Sequence, residues 1–316
     1  MAGEFDLIAN YFNWPAATDS VKLSVGDDAA IVSISRGHKL VISVDTLVAG
    51  VHYPFDTSPI DIGYKSLIVN LSDIAAMGAD PRWFTLALTL PEYDSEWLSG
   101  FSIGLKQAAD EYGVALIGGD TTRGSSTITI QIMGEVADGT ALKRSAAQPN
   151  DDLYITNTLG DAAAGLKIHQ AGTETLSDAE RSCVTRLNRP TARIAESKII
   201  SQYANACMDI SDGLLQDLSH ILKASQLGAT LNTAELTMSA ALDILYTREE
   251  SLKFALCGGD DYELLFSVSE QNQALFKEAM RSEGFDFQII GKFNNHLNTI
   301  LDQDGNALSA NGFQHF

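Results

Sequence analysis

The sequence predicts an α/β (α+β) protein of two domains, the first a mixed sheet with helices against it and the second an α+β domain. Three observations carry that expectation. Short β-branched apolar runs alternate with helical periodicity up to about residue 147. The polar, proline-containing stretch Ala146–Asp152, AAQPNDD, then breaks the pattern. Beyond it, strand and helix signals resume in a different order. The boundary is therefore placed to give domains 1–147 and 148–316, a division that 316 residues readily support.

The elements follow in chain order. KLVISVDTL, Lys39–Leu47, is an apolar, β-branched run and reads as a buried strand. The next segment opens on Ser58 as N-cap and Pro59 as first helical residue. Tyr64, Leu67, Ile68, Leu71, Ile74 and Ala75 recur at helical spacing, and Gly78 closes the helix. RWFTLALTL is a strand, DSEWLSGFSIGLKQAADEYG a second helix, and VALIGG and STITIQIMGEV two further strands. In the second domain DLYIT is a strand, followed by helices through Asp161 to Tyr203. The strand ACMDI, a helix from Gly213, the strand YELLFSV, and a final helix with two short strands complete the chain.

Composition excludes several classes of function. The formal net charge of −20 repels nucleic acid and anionic membranes, with no basic stripe to offset it. No stretch approaches the roughly 18 apolar residues of a spanning helix. The N-terminus has neither the basic nor the apolar region of a signal peptide, so a cytoplasmic location is expected. Cys183, Cys207 and Cys257 form no CxxC pair and read as reduced, mostly buried small hydrophobes.

Aspartates recur at element ends: Asp27 and Asp28 in VGDDAA, Asp45 in VDT, Asp73 in NLSDIAAM, Asp120 in GGDTTRG, Asp209 and Asp212 in DISDG, Asp260 and Asp261 in GGDDY. Singly, each is a turn or cap residue as readily as a functional one. Gathered around one cleft they would repel, at about 4 kcal/mol per pair ~4 Å apart. Such a set persists with cations between its members, and oxygen-only donors point to Mg²⁺ rather than zinc. Mg²⁺ is commonly completed by phosphate oxygens. Gly118, Gly119 and Gly124, with Arg123 and Arg144, suit phosphate approach. There is no GxxxxGK[ST] and no kinase-type HRD or DFG, so this route to phosphoryl transfer is neither P-loop nor protein-kinase-like.

The runs GEFDLIANYF, VGDDAA, VDTLVAGVHY, NLSDIAAMGADPRW, LIGGDTTRG, DISDGL and GGDDYELLF span nearly the whole chain. In that order they resemble the thiamine-monophosphate kinase family, within the aminoimidazole-ribonucleotide-synthetase-like superfamily. The resemblance implies ATP-dependent phosphorylation of thiamine monophosphate to thiamine diphosphate, by direct transfer with several Mg²⁺ ions. It also implies a homodimer whose N-terminal sheets pair across the interface. It assigns metal ligation to Asp28, Asp45, Asp73, Asp120 and Asp209 with Ser43 assisting, and a further Mg²⁺ to Asp212. Val44 stands where relatives often carry Thr, leaving only its backbone carbonyl. Gly119, Asp120, Arg144 and Ser211 would meet ATP; His52 and Asp260 would meet thiamine monophosphate. Phe313 either stacks on the substrate ring or serves as a core aromatic. No residue is assigned as a base, because the attacking phosphate oxygen is already anionic. Two other readings stand beside this one: a sister ATP-dependent enzyme with another acceptor, and a non-catalytic Mg-nucleotide-binding module.

Overall fold

The computed structural model describes residues 4–14, 18–173, 175–310 and 312–313. The chain divides into two compact units, Met1–Ile74 with Ala79–Gly139, and Ala75–Gly78 with Thr140–Phe316.

The first unit comprises α1 (Glu4–Tyr11), β1 (Val21–Leu23), β2 (Ile31–Val32), β3 (His38–Val48), α2 (Pro59–Ala76), β4 (Asp80–Leu90), α3 (Ser95–Tyr112), β5 (Ala115–Arg123) and β6 (Thr127–Ala137). Its main sheet has the order β3-β6-β4-β5, with β4 and β5 parallel and the other pairings antiparallel. Helix α2 lies against one face, burying Leu67, Ile68, Leu71 and Ile74 completely. Helix α3 is delimited by its ends. Asp94 accepts hydrogen bonds from the Glu96 and Trp97 N–H groups, and Gly113 closes the helix in the left-handed region.

One expectation is corrected here. β3 is not a buried strand but the edge of its sheet, and only one of its faces is covered. Leu40, Ile42 and Val44 point away from α2 and are 37%, 52% and 57% exposed. An apolar run shows that a strand is buried somewhere, not which face is covered within one chain. Across the sheet, over β4 and β5, the same face is closed by the β1–β2 ribbon, which sets Val21 and Val32 against Trp83, Ala115 and Ile117. The indole of Trp83 donates to Ser20 Oγ at 3.1 Å, so its one polar atom is satisfied there.

The second unit holds a one-turn 3₁₀ segment (Arg144–Ala146), β7 (Asp152–Thr156), α4 (Asp161–Ala171), α5 (Asp178–Asn188), α6 (Ile194–Tyr203), β8 (Ala204–Ile210) and α7 (Leu214–Ser225). It continues with β9 (Gly228–Leu231), α8 (Ala240–Leu245), α9 (Arg248–Cys257), β10 (Glu263–Val268), α10 (Gln273–Ser282), β11 (Phe287–Asn294) and β12 (Ile300–Asp302). The sheet order is β12-β9-β11-β7-β10-β8, antiparallel except between β12 and β9. Alternation along the strands separates two cores. Leu153, Ile155, Met208, Ile210 and Leu265 join Leu214, Leu218 and Ile221 of α7. On the opposite face Tyr154 stacks on Phe266 at 5.5 Å, with Phe276 of α10 edge-on to both.

One buried acid anchors the entry to β3. Glu135 accepts from Ser35 N–H at 2.6 Å, from Ser35 Oγ at 2.8 Å and from Arg82 Nε at 3.2 Å. Burial works to raise this carboxyl, but the Ser35 hydrogen bonds and the Arg82 and His38 charges outweigh it and hold it below its ordinary value. A depressed carboxyl contributes stability above the unfolded value and loses it as pH falls through the folded one. Glu135→Gln should therefore cost about 1–3 kcal/mol at pH 7. In urea unfolding the gap to wild type should close as the pH is lowered below the ordinary carboxylate range. A gap independent of pH would assign the loss to packing.

Candidate functional site

In the first unit, β3 and α2 bring three of the candidate residues together. Ser43 and Asp45 share one strand face by the two-residue period, and Asn70 and Asp73 share one helix face. Ser43 Oγ donates to Asp73 Oδ2 at 2.5 Å, and the Asp45 N–H donates to Asn70 Oδ1 at 3.1 Å. Asn70 Nδ2 in turn donates to Ser66 O, which fixes the carboxamide. Val44 lies on the opposite face, so only its main-chain atoms belong to this group.

A cavity of about 590 Å³ in the same unit gathers a second set, lined by Phe12, Gly26, Asp28, Thr85, Gly119 and Asp120 among others. Asp120 lies within β5 and does not follow it, because β4 supplies a parallel partner as far as the Leu90–Arg123 pair. Gly119 is required there: a Cβ would fall 1.9 Å from the Leu86 carbonyl oxygen of β4. Asp28 is exposed, and its N–H donates to Asp27 Oδ1 at 2.8 Å. His52 follows β3 in a turn where its Nδ1 accepts from the Val48 N–H at 2.9 Å. In the neutral ring the proton is therefore on Nε2, which is a donor.

In the second unit the turn after β8 is the centre of the arrangement. Asp217, 2% exposed, accepts from the N–H groups of Ser211, Asp212 and Gly213 at 3.0, 3.0 and 3.1 Å. Burial pushes its carboxyl up to about 7, aided by the nearby Asp212 charge and opposed by those three N–H groups. The GGDDY loop hangs from the same turn: Asp260 N–H donates to Ser211 O, and Tyr262 N–H to Ile210 O, each at 2.8 Å. Tyr262 Oη donates to Asp260 Oδ1 at 2.9 Å. Phe313 reaches the turn through its N–H, which donates to Asp212 O at 3.2 Å. Asp209, Ser211, Asp212, Asp260 and Phe313 are thus gathered at one end of this unit's sheet. Arg144 is not: its carbonyl accepts from Ser225 Oγ, at the far end of α7 from Ser211.

Beneath the loop lie buried acids to which the sequence reading gave no role. Asp261, fully buried, accepts from the Gly160 N–H at 2.8 Å, and its burial raises its carboxyl well above the ordinary value. Glu263 is fully buried between Arg186 at 2.6 Å and Arg193, and also accepts from Thr156 Oγ1. The signal was in the sequence: Glu263 closes GGDDYE, and Asp217 follows the helix-opening Gly213 by four residues. The cysteines are thiols. Burial pushes the Cys183 thiol up to about 12 and raises Cys207 and Cys257 also, which leaves no thiolate nucleophile near neutral pH.

Among the described residues no three acidic, His or Cys side chains converge as a ready-made cation cage. The donors are all hard oxygens in small groups, which suits Mg²⁺, an ion held by one or two carboxylates and completed by water and phosphate. The sequence matches the AIR synthase related protein family over residues 26–136, the N-terminal domain, and 148–301, the C-terminal domain. It is 45% identical to the thiamine-monophosphate kinase of Escherichia coli K12, over 99% of this chain and 98% of that relative. The chain belongs to the thiamine-monophosphate kinase family. The fold agrees. The crystal structure of the thiamine-monophosphate kinase from Stenotrophomonas maltophilia K279a superposes with a TM-score of 0.87 at 41% identity, covering 92% of this chain and 93% of that one. AaThiL complexed with AMPPCP and TMP superposes with a TM-score of 0.81 at 31% identity, covering 93% and 92%. Family membership explains why the aspartate runs occur in this order.

Glu263→Gln removes the negative charge between two arginines that are largely buried. It should destabilise the protein by about 3 kcal/mol, since breaking a buried pair leaves its partner uncompensated. Urea unfolding checks this, and a loss below about 1 kcal/mol would class the pair with solvent-screened surface bridges.

Proposed function

We propose that this chain transfers the γ-phosphoryl group of ATP to the phosphate of thiamine monophosphate, giving thiamine diphosphate and ADP. The observation that carries the reading is the full-length match to named kinases, together with a structural relative complexed with AMPPCP and TMP. In the first unit (domain 1–147 on the sequence boundaries) Asp28, Ser43, Asp45, Asp73, Asp120 and the main chain of Val44 would hold Mg²⁺. In the second (148–316) Asp209 and Asp212 would do so. Gly119, Arg144 and Ser211 would position the nucleotide. His52, Asp260 and Phe313 would position the acceptor.

The reaction forms a bond from an acceptor phosphate oxygen to the γ-phosphorus and breaks the bond to the β,γ-bridging oxygen, which leaves on ADP. Both reactants are anions approaching a chain of net charge −20. When bound, Mg²⁺ supplies charge neutralisation of the facing phosphates and of the leaving group. The chain's own part is alignment. Gly119 lines its cavity with main chain alone, Ser211 would offer its hydroxyl because its N–H is held by Asp217, and His52 Nε2–H would donate to an acceptor oxygen. No residue need remove a proton, because the attacking oxygen is anionic near neutral pH.

We further infer a homodimer, formed over the open face of β3, in the cytoplasm and without nucleic-acid or membrane partners. Leu40, Ile42 and Val44 are an apolar stripe on an edge strand, which a second copy would cover. Among the described residues no helix is long and apolar enough to cross a membrane.

Purified protein with Mg²⁺ and ATP should release ADP and thiamine diphosphate in equal amounts, and only when thiamine monophosphate is present. ADP release with a different acceptor alone would move the chain to a sister activity. Asp73→Asn and Asp120→Asn should each lower kcat/KM by about 100-fold or more while leaving the circular dichroism unchanged. Near-normal turnover in either would remove that residue from the metal set. Ile42→Asp should shift the sedimenting species from dimer to monomer, and a retained dimer would place the interface elsewhere.

A further inference from the structure

Gln216 sits in the first turn of α7, four residues after Asp212 and therefore on the same side of that turn. Its Nε2 donates to Asp212 Oδ2 at 3.1 Å and to the Phe313 carbonyl oxygen at 2.8 Å. Both partners are acceptors, so the carboxamide must turn its two N–H donors toward them, whichever way the group is first drawn. The consequence is visible on its other atom. Gln216 Oε1 is buried without a hydrogen-bond partner. A buried acceptor is left unpaired only where something else fixes the group, and here the two donated bonds do so.

The C-terminal segment meets this residue closely. A Cβ on Gly312 would fall 2.6 Å from Gln216 Oε1 and 2.7 Å from Asp212 O, so only glycine allows the approach. Phe313 N–H donates back to Asp212 O. The Phe313 main chain is thus bonded on both sides, to Asp212 by its N–H and to Gln216 by its carbonyl. Its residue nevertheless remains 44% exposed.

We propose that Gln216 is a positioning residue that clips the C-terminal segment onto the Asp212 turn, so that the Phe313 ring meets the acceptor in fixed register with the nucleotide-side residues. The inference rests on the thiamine-monophosphate reading and adds to it a residue that touches neither substrate. The acceptor carries a cationic thiazolium and an aminopyrimidine, and an aromatic face held in place attracts both. Without the clip the segment keeps the Phe313 N–H bond to Asp212 O, and the ring must regain its order at binding.

The test uses the full chain with Gln216→Met, which keeps the side chain's length and removes both donors, in wild-type and Phe313→Ala backgrounds. In the wild-type background KM for thiamine monophosphate should rise about five- to tenfold, the weight of one to two hydrogen bonds, with KM for Mg–ATP changed less than about twofold. In the Phe313→Ala background the same substitution should leave KM for thiamine monophosphate unchanged. Chymotryptic cleavage after Phe313, followed by mass spectrometry without substrates, should accelerate about five- to tenfold in Gln216→Met. Unchanged cleavage, or an equal rise of KM in both backgrounds, would overturn the proposal. A wild-type protein with no acceptor-dependent ADP release would overturn the kinase reading and the ring's role with it. The cleavage rates would still decide whether Gln216 holds the segment.

Discussion

A carboxylate can be buried only where donors meet it, and in the second unit that requirement decides where everything else goes. Asp217 is the clearest case. With three main-chain N–H groups turned inward onto its carboxylate, the carbonyls of Ile210, Ser211 and Asp212 are left pointing at neighbouring segments. Those carbonyls then receive Tyr262, Asp260 and Phe313. The loop and the C-terminal segment are thus sewn onto one turn through the polarity of its peptide groups. Side-chain chemistry at the site is arranged by main-chain bookkeeping that starts from one buried acid.

The first unit answers a different constraint. Its sheet has a helix-covered face, which positions Ser43 and Asp45 against Asn70 and Asp73, and an opposite face that is largely open at β3. The same alternation that aims the polar residues of β3 at α2 necessarily aims Leu40, Ile42 and Val44 outward. A strand cannot present Ser43 and Asp45 to one side without presenting its even-numbered neighbours to the other. On the proposed reading, oligomerisation and metal binding are two faces of one strand, and a register slip of one residue would exchange them.

Much of this was legible in the sequence, for identifiable reasons. The long helices announced themselves through caps and period: Pro59 at the start of α2, Asp94 and Gly113 around α3. The loop GGDDY and turn DISDG were singled out before their contact was known, although Asp45, Asp73 and Asp120 lie inside elements that run on past them. What escaped was set by tertiary contacts. The reach of β5 past Gly119 depends on the partner strand β4, which no local pattern encodes. β9 has only four residues and α8 only six, too few for a period to emerge. Asp217 and Glu263 drew no notice, because charge alone does not say whether N–H groups or arginines wait inside. Gln216 carried no signal at all, since its partners are a turn and a segment almost a hundred residues away.

The GGDDY loop shows how such contacts stabilise an otherwise unfavourable shape. Asp260 and Tyr262 both have positive φ, at 69° and 53°, where a side chain costs on the order of 1–3 kcal/mol. Between them Asp261 turns inward to the Gly160 N–H. An inward residue in so tight a loop forces its two neighbours outward, and the left-handed conformation is the geometric result. Two main-chain hydrogen bonds to the Ser211 turn and the Tyr262–Asp260 bond hold it there. The position of the Asp260 carboxylate is therefore determined by the fold before any ligand arrives. Asp28 is exposed on the wall of its cavity, and among the described residues its carboxylate has no comparable framework; its N–H donates to Asp27 Oδ1. The two Gly-Asp-Asp runs, alike in sequence, thus differ in kind. One is held by main-chain hydrogen bonds of the fold, and the other lies exposed on the wall of a cavity.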